Sequence, residues 1–350
     1  MNETTSRPRV AITMGDAAGI GPEIIVKSLA DPAAARCCIP IVLGDGSVLA
    51  RAMEATGAHV PVRTIASPAD AEGRPGTIEL VDYRNVDVSR HRWGEVNPAH
   101  GDAAVHYTRE AGRMAVARTI DAMVSAPLNK EAMHAAGHPY EGQTEILGEL
   151  TGTKPAMVLL LGRMRLMLFT NHMALRAVCD YVRRDRILDR LLLADAALRD
   201  MGIARPRLAV AGLNPHAGEE GAFGHEERDE IVPALAEART RGLDAQGPFP
   251  ADTVFLKARD GAFDLTLALY HDQGLMAVKL LGFGTVVTLL VGLPLIRTST
   301  GHGTAFDIAG RNVADHKNLL EAIRVAAEVA VARRGAAEPG LAAAHGKRAA

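Results

Sequence analysis

The stretch Arg9-Val-Ala-Ile-Thr-Met-Gly-Asp-Ala-Ala-Gly-Ile-Gly-Pro-Glu23 decides the fold class of this 350-residue chain. Its first five residues read as a β-strand, and the glycine-rich turn after them leads into a helix. Pro22 stands at the start of that helix, the position that proline favours. The same alternation of short apolar runs and helix-length segments continues along the chain and predicts an α/β fold. The sheet is expected to be largely parallel, with helices on both of its faces.

Other elements follow from the same pattern. Met157–Leu161 and Met164–Thr170 are separated only by Gly162-Arg163, which predicts an antiparallel hairpin and hints at a second subdomain in the middle of the chain. Leu319–Arg334 predicts a closing helix, and residues 335–350, rich in alanine and glycine, predict a disordered tail. The remaining predicted strands are Ile39–Leu43 and Asp121–Ser125, and the remaining predicted helices are Ala104–Ala117, Val182–Met201 and Glu226–Arg239.

Composition narrows the classes of function. Hydrophobic residues make up 48% of the chain and charged residues 23%, the balance of a soluble globular protein with a sizeable core. A formal net charge of −2 without a basic stripe argues against nucleic acid or an anionic membrane as the main partner. Because no signal-peptide pattern or membrane-span-length apolar run is found, we expect a cytoplasmic protein. The three cysteines, without a CxxC pair, argue against a disulfide framework and a cysteine zinc site.

Three histidines, His172, His216 and His271, each come directly after a strand-like apolar run. In an open α/β sheet, ligands collect outside the carboxyl ends of the strands. Three imidazoles at three such ends could converge on one divalent cation and leave coordination positions open for substrate. Any one of these histidines alone is better explained as a loop residue, but three in equivalent places favour a metal site. Zinc, manganese, cobalt, nickel and magnesium all remain candidates.

Several motifs share one order along the chain, from about Arg9 to Ala332, and together resemble the 4-hydroxythreonine-4-phosphate dehydrogenase family. They are Met14–Glu23, Ser125-Ala-Pro-Leu-Asn-Lys130, Gly212-Leu-Asn-Pro-His-Ala-Gly-Glu-Glu-Gly-Ala-Phe-Gly-His-Glu-Glu227, Gly247-Pro-Phe-Pro-Ala-Asp-Thr253, Tyr270-His-Asp-Gln-Gly274 and Gly292-Leu-Pro-Leu-Ile-Arg-Thr-Ser299. The first of these, taken alone, is as readily a structural turn as a ligand loop, because the chain lacks the GxGxxG dinucleotide fingerprint. His302-Gly-Thr-Ala-Phe-Asp-Ile-Ala-Gly310 is similar to the coenzyme loop of isopropylmalate and isocitrate dehydrogenases.

The resemblance implies an isocitrate/isopropylmalate dehydrogenase-like fold, with two α/β/α subdomains and a cleft between them. The first subdomain would comprise residues 1–137 plus 300–334, and the second, with the dimer and metal elements, residues 138–299. A homodimer is implied, with the active site in the cleft near the dimer interface. The partner at that site would be a small anionic substrate.

The implied reaction is a divalent-metal- and NAD(P)-dependent oxidation of a secondary alcohol, with β-decarboxylation of the keto product. A cation held by the three histidines would stabilise the alkoxide from which hydride leaves, and then the enolate that remains after carbon dioxide is lost. NAD and NADP both remain possible, because no ribose-reading acid can be placed without the fingerprint.

The resemblance also assigns roles to single residues. Asp252 and Asp272 are candidates for orienting a histidine or transferring a proton, although Asp252 is equally well explained as a helix N-cap. Lys279 matches a substrate-contacting lysine and is a further catalytic candidate. Arg297 matches a substrate-binding arginine, and its guanidinium suits a bidentate grip on an anion. The candidate coenzyme-binding residues are Gly301, His302, Gly303, Thr304 and Asp307.

Three positions depart from the family pattern. Gln143, which precedes the substrate residue Thr144, replaces a histidine, Thr288 replaces a substrate-contacting asparagine, and Gly301 stands where an aspartate is usual. The metal-dependent dehydrogenase chemistry is therefore expected to be retained, whereas these three changes leave the identity of the substrate undetermined. A phosphorylated hydroxy acid (4-phosphohydroxy-L-threonine, D-threonate 4-phosphate or D-erythronate 4-phosphate) comes first, and a terephthalate-type cis-dihydrodiol dicarboxylate second. A metal-dependent hydrolase or aldolase is the rival from another class, and a non-catalytic binding module is disfavoured by the intact histidines.

Overall fold

The fold is described by a computed structural model that covers residues 7–282 and 284–337. The strands are β1 (Arg9–Thr13), β2 (Ile39–Gly44), β3 (Val62–Thr64), β4 (Ile78–Asp82), β5 (Ala122–Ser125), β6 (Ala156–Leu161), β7 (Met164–Leu168), β8 (Arg207–Ala211), β9 (Asp244–Phe249), β10 (Leu265–Ala268), β11 (Val287–Val291) and β12 (Arg297–Thr300). They form one 12-stranded sheet in the order β3-β4-β2-β1-β5-β12-β11-β6-β7-β10-β8-β9.

Twelve α-helices connect the strands. They are α1 (Gly21–Ala30), α2 (Pro32–Cys37), α3 (Gly46–Thr56), α4 (Pro98–Val116), α5 (Lys130–Ala135), α6 (Gln143–Thr151), α7 (Leu175–Tyr181), α8 (Arg184–Asp200), α9 (Val232–Thr240), α10 (Ala251–Arg259), α11 (His271–Gly282) and α12 (Lys317–Ala337) within the described ranges. This confirms the predicted α/β class. None of these helices combines the length and apolar character that a bilayer span demands.

The sheet is mostly parallel. Among the described strands, the antiparallel pairs are β11–β12, β11–β6 and β6–β7, and the last of these confirms the predicted hairpin. Strand β10 is parallel to both β7 and β8, and the carboxyl ends of these three strands therefore share one edge. Strand β1 is buried along Val10–Ile12 and pairs in parallel with β2 and β5, which explains why its apolar run is continuous rather than alternating.

Some element boundaries differ from the prediction. Helix α4 begins at Pro98 rather than Ala104, because Asn97 caps it through a hydrogen bond from the Ala99 amide. The segment before α9, Glu227–Ile231, is a π-helical turn, so Glu226–Arg239 is not one regular helix. Helix α12 runs to Ala337, so the predicted tail does not begin at 335, and its residues 338–350 lie outside the described ones.

The division into two subdomains stays a prediction. The sheet is continuous across the proposed boundary, since β12 pairs in parallel with β5 of the first unit and antiparallel with β11 of the second. This continuity places residues from both proposed units on one sheet.

Candidate active site

A pocket of about 300 Å³ lies where helix α11 crosses strands β6, β7 and β11. Much of its wall is apolar, with Met157, Leu159 and Leu168 from the strands and Leu275 and Val278 from the helix. The pocket brings together six residues that the sequence singled out, namely His172, His271, Lys279, Thr288, Gly301 and His302.

Two of the three predicted metal ligands face each other here. His172 follows β7 and His271 follows β10, the neighbouring parallel strand, and their ring centroids are 5.7 Å apart. The Nδ1 atom of His271 lies 2.6 Å from the Asp272 carboxylate, which leaves its Nε2 atom as the nitrogen available to a metal. The geometry agrees with the predicted orienting role of Asp272.

The third predicted ligand, His216, is separate from this pair. It follows β8, on the other side of β10, and therefore lies at the same sheet edge, where its exposed ring is 6.1 Å from that of Phe223. In the described part of one chain, no three His, Cys, Asp or Glu side chains are close enough to hold a metal ion. The facing imidazoles of His172 and His271 fit two positions of a divalent-metal shell, and a third ligand must come from elsewhere.

Arg297, at the start of β12, is a buried cation with neutral partners. Its side chain donates to the Ser125 hydroxyl at 3.1 Å and to the Gln143 amide oxygen at 3.4 Å. Burial lowers the pKa of Arg297 to about 10, against a smaller opposing effect of Glu145, so the guanidinium is still charged at neutral pH. Because neither hydrogen-bond partner carries a charge, the cation is available to an anionic ligand.

Gln143 is tied into this arrangement. Its Nε2 atom donates to the Ala126 carbonyl oxygen at 3.0 Å, which turns the amide oxygen toward Arg297 and the Thr108 hydroxyl. The glutamine was expected to contact substrate directly. The geometry gives it a second task, holding the guanidinium of Arg297, and places Thr144 half-buried beside it in the first turn of α6.

Arg297 does not line the pocket itself but lies on the same face of the sheet. Arg297 is paired with Leu290, and Leu290 with Met157, which lines the pocket. Paired residues project from the same face of a sheet, so Arg297 points to the pocket side. Strands β12 and β7 are three strand spacings, or roughly 14 Å, apart. The side chains of Arg297 and His172 shorten this separation to about the length of a small molecule.

The predicted coenzyme loop, 301–310, packs on the glycine-rich turn that opened the sequence. The Ile20 amide donates to the Thr304 carbonyl at 3.0 Å, and the Gly310 amide donates to the buried Glu23 carboxylate. A Cβ atom at Gly19 would lie 3.0 Å from the same Thr304 carbonyl oxygen, so a larger residue would crowd the loop. Asp307 is exposed on the loop.

The amides of that turn are occupied by the protein itself. Asp16 donates its amide to the Pro127 carbonyl at 3.0 Å, and its carboxylate accepts from the Ala18 amide at 2.9 Å. The Gly19 amide donates to the Asp16 carbonyl at 3.2 Å. These contacts favour the structural explanation of the turn, as a support for the predicted coenzyme loop.

Two residues of the loop have unusual surroundings. A Cβ atom at Gly301 would lie 2.6 Å from the Val286 carbonyl oxygen, so this backbone has no room for the aspartate that is usual there. The Nε2 atom of His302 is buried, lines the pocket and has no hydrogen-bond partner within the described structure. A buried polar atom of this kind is suited to a ligand contact.

Asp252 lies apart from the pocket. Pro250 is the N-cap of α10 and Asp252 sits in its first turn, so the N-cap explanation for Asp252 is wrong. Its exposed side chain is not among the pocket-lining residues. Conversely, the sequence analysis assigns no role to Ser125, Glu227 or Gln273. All three lie within the quoted motifs, and this position in a motif is the sequence feature that could have identified them.

Comparison with known proteins gives a consistent set of relatives. The family model of the pyridoxal phosphate biosynthetic protein PdxA matches residues 36–326. A D-threonate 4-phosphate dehydrogenase from Cupriavidus necator is 45% identical over 93% of this chain and 98% of its own length. A solved 4-hydroxythreonine-4-phosphate dehydrogenase from Klebsiella pneumoniae has a TM-score of 0.86 at 43% identity, covering 92% of this chain and 99% of its own. A terephthalate 1,2-cis-dihydrodiol dehydrogenase from Burkholderia xenovorans has a TM-score of 0.65 at 32% identity, covering 92% and 98%.

Proposed function

The chain belongs to the family of the pyridoxal phosphate biosynthetic protein PdxA, and on that premise we propose that it is an NAD(P)- and divalent-metal-dependent dehydrogenase of a phosphorylated hydroxy acid. D-threonate 4-phosphate comes first among the substrates, because the C. necator relative of that name is 45% identical over nearly the whole chain. D-erythronate 4-phosphate and 4-phosphohydroxy-L-threonine follow. The observation that carries the proposal is the buried Arg297 on the pocket side of the sheet, whose hydrogen-bond partners are neutral.

In this function Arg297 holds an anionic group of the substrate and Lys279 approaches from the pocket rim. Ser125 and Gln143 keep the guanidinium in place, so that little side-chain entropy is lost when the anion binds. His172, His271 and a third histidine hold the divalent ion, which when bound supplies the Lewis acidity for alcohol oxidation and for β-decarboxylation of the keto product. Loop 301–310 receives the coenzyme.

The third ligand is assigned to a second copy of the chain. Large apolar side chains are exposed beside the histidine pair, on the segment before and within α7 and along α11, and they suit an interface. A homodimer that covers this surface can bring His216 of one copy to the pair of the other. The exposed side chains are Met173, Leu175, Met276, Leu280 and Leu281.

An aromatic cis-dihydrodiol carrying carboxylates is the second candidate. It is favoured by the apolar pocket wall of Met157, Leu159 and Leu168, which suits a ring better than a chain of hydroxyl groups. The solved terephthalate dihydrodiol dehydrogenase is 32% identical to this chain, well below the 45% of the C. necator relative. This candidate therefore ranks second.

The test is coenzyme reduction, followed at 340 nm with NAD and with NADP, by protein loaded with zinc, manganese or cobalt. The panel is D-threonate 4-phosphate, D-erythronate 4-phosphate, 4-phosphohydroxy-L-threonine and the terephthalate cis-dihydrodiol. We expect turnover of a phosphorylated acid, lost in His271→Ala. Turnover of the dihydrodiol alone would establish the second candidate, and substrate cleavage without coenzyme reduction would establish the hydrolase or aldolase class instead.

A further inference from the structure

The turn that carries His216 is left-handed over five consecutive residues. The φ angles are 54° at His216, 55° at Ala217, 84° at Gly218, 43° at Glu219 and 52° at Glu220. This conformation costs an L-residue with a side chain roughly 1–2 kcal/mol, and only Gly218 avoids that cost. Surrounding contacts must therefore hold the turn.

Glu227 supplies the first of these contacts. Its side chain is buried, at 4% exposure, and one carboxylate oxygen accepts from the amides of Leu213 and Asn214, each at 2.7 Å. The other oxygen accepts from the Asn214 side-chain amide at 2.8 Å. A Cβ atom at Gly218 would lie 2.8 Å from that second oxygen, so the turn wraps closely around this carboxylate.

Gln273 supplies the second contact and joins two histidine loops. It is buried, at 7% exposure, and its amide oxygen accepts from the Leu269 amide at 2.7 Å, at the end of β10. Its Nε2 atom donates to the Gly212 carbonyl at 2.8 Å, at the end of β8. The side chain therefore links the backbone before His271 to the backbone before His216.

We propose that Glu227 and Gln273 are positioning residues for the metal ligands. Glu227 holds the left-handed turn that carries His216, and Gln273 ties the His216 loop to the His271 loop of the same chain, so that each loop is held in place for the metal site to which it contributes. The inference rests on the proposed metal-dependent function, and both residues would act through the backbone of the histidine loops. Removing such supporting contacts from a metal site typically weakens metal affinity by about 10- to 100-fold.

The experiment is titration of zinc and cobalt into the chelator-stripped, full-length protein by calorimetry. Glu227→Gln turns an acceptor oxygen into a donor, and Gln273→Glu keeps the acceptor for the Leu269 amide but replaces the donor to Gly212. The matched control is Glu230→Gln. Glu230 lies in the same helical segment as Glu227, and its carboxylate accepts a hydrogen bond from the Arg184 backbone amide at 2.7 Å, away from the turn. We expect at least a tenfold loss of affinity in the first two variants and less than a twofold change in the control.

A second readout is independent of metal. Hydrogen exchange of the Leu213 and Asn214 amides in the metal-free protein should accelerate at least tenfold in Glu227→Gln and stay unchanged in Glu230→Gln. Equal metal affinity in wild type, Glu227→Gln and Gln273→Glu would overturn this inference and leave the proposed function intact. A wild-type protein that binds neither ion would overturn both. Should Glu227→Gln fail to fold by circular dichroism, Gln273→Glu decides the outcome.

Discussion

At the scale of single residues, the site is organised around a buried cation whose hydrogen-bond partners are neutral. Arg297 is 5% exposed, and its hydrogen-bond partners are the Ser125 hydroxyl and the Gln143 amide. A buried charge is costly unless something pairs with it. In the proposed function the substrate anion is that partner, and Gln143 holds the guanidinium in position for it.

Arg297→Lys should raise the KM for the phosphorylated acid by about 10- to 100-fold, because a lysine cannot make the paired hydrogen bonds of a guanidinium and each charged hydrogen bond contributes about 1.5–3 kcal/mol. The turnover number should change much less. Initial rates at several substrate concentrations measure both parameters. Arg165→Lys is the control, since Arg165 is half-buried and, among the described residues, hydrogen-bonds to the carbonyl oxygens of Arg163 and Asp264. An unchanged KM in Arg297→Lys would contradict the assignment.

Asp16 leads to a prediction about stability and pH. Burial raises the pKa of this carboxyl to about 7, against a weaker opposing effect of the hydrogen bond from the Ala18 amide. In the unfolded chain the pKa is about 3.9, so the folded protein binds the proton more tightly and its free energy of unfolding falls as pH rises from about 4 to about 7. Asp16→Asn removes this titration. The free energy of unfolding of the variant minus that of the wild type should therefore be larger at pH 8 than at pH 5, by up to about a few kcal/mol. Urea unfolding at the two pH values measures this difference. A difference that is the same at both pH values would show that Asp16 does not titrate in this range.

At the scale of elements, the predicted coenzyme loop is held from two sides. The glycine-rich turn supports it through Ile20 and Glu23, and a second segment supports it through Gly94. The Gly94 amide donates to the Ala18 carbonyl at 2.8 Å, and a Cβ atom at Gly94 would lie 2.5 Å from the Phe306 carbonyl oxygen. The position of the loop thus depends on close backbone approaches that only glycine allows.

Gly94→Ala should raise the KM for the coenzyme at least several-fold, because the added methyl group must displace the loop at Phe306. The KM for the hydroxy acid should change less. Gly76→Ala is a matched control: its φ of 66° is close to the 73° of Gly94, yet no atom lies within 4 Å of its Cβ position. Both variants carry the same backbone penalty of roughly 1 kcal/mol. If both raise the coenzyme KM equally, the contact with the loop is not the cause.

At the scale of the whole molecule, a continuous sheet brings the parts of the site together. Arg297 and His172 come from strands three spacings apart, and the residues between them are contributed by β11 and β6. The same architecture leaves an apolar surface exposed at the histidine pair, with Leu280 at 88% exposure. The proposed homodimer covers this surface and completes the metal shell.

Leu280→Asp should convert the dimer to a monomer, because a charge placed in an apolar interface is desolvated without a partner. Zinc affinity should fall together with dimerisation, since one ligand comes from the second copy. Sedimentation velocity and metal titration measure the two effects. Val331→Asp, at a valine that is 48% exposed on α12, is the control and should leave both unchanged. A Leu280→Asp protein that remains dimeric would rule out α11 as part of the interface.

Much of the fold follows from local patterns in the sequence. The strand at Arg9–Thr13, the helix entered at Pro22 and the hairpin at Met157–Leu168 were predictable because apolar periodicity, proline and short connections act over a few residues. The placement of His172, His216 and His271 at one edge was predictable for a similar reason, since each directly follows a strand and parallel strands end on the same side.

The arrangement of side chains within the site required the tertiary structure. Arg297 hydrogen-bonds to Ser125 across 172 residues of chain, and Gln273 hydrogen-bonds to Gly212 across 61. The Ile20 amide likewise donates to the Thr304 carbonyl. No local pattern encodes such pairs, because they depend on how distant strands are ordered in the sheet. Sequence alone therefore determined the fold class, the family and the identity of the candidate residues. Only the folded chain decided that Gln143 holds an arginine, that the glycine-rich turn supports a loop, and that His216 stands apart from the other two histidines.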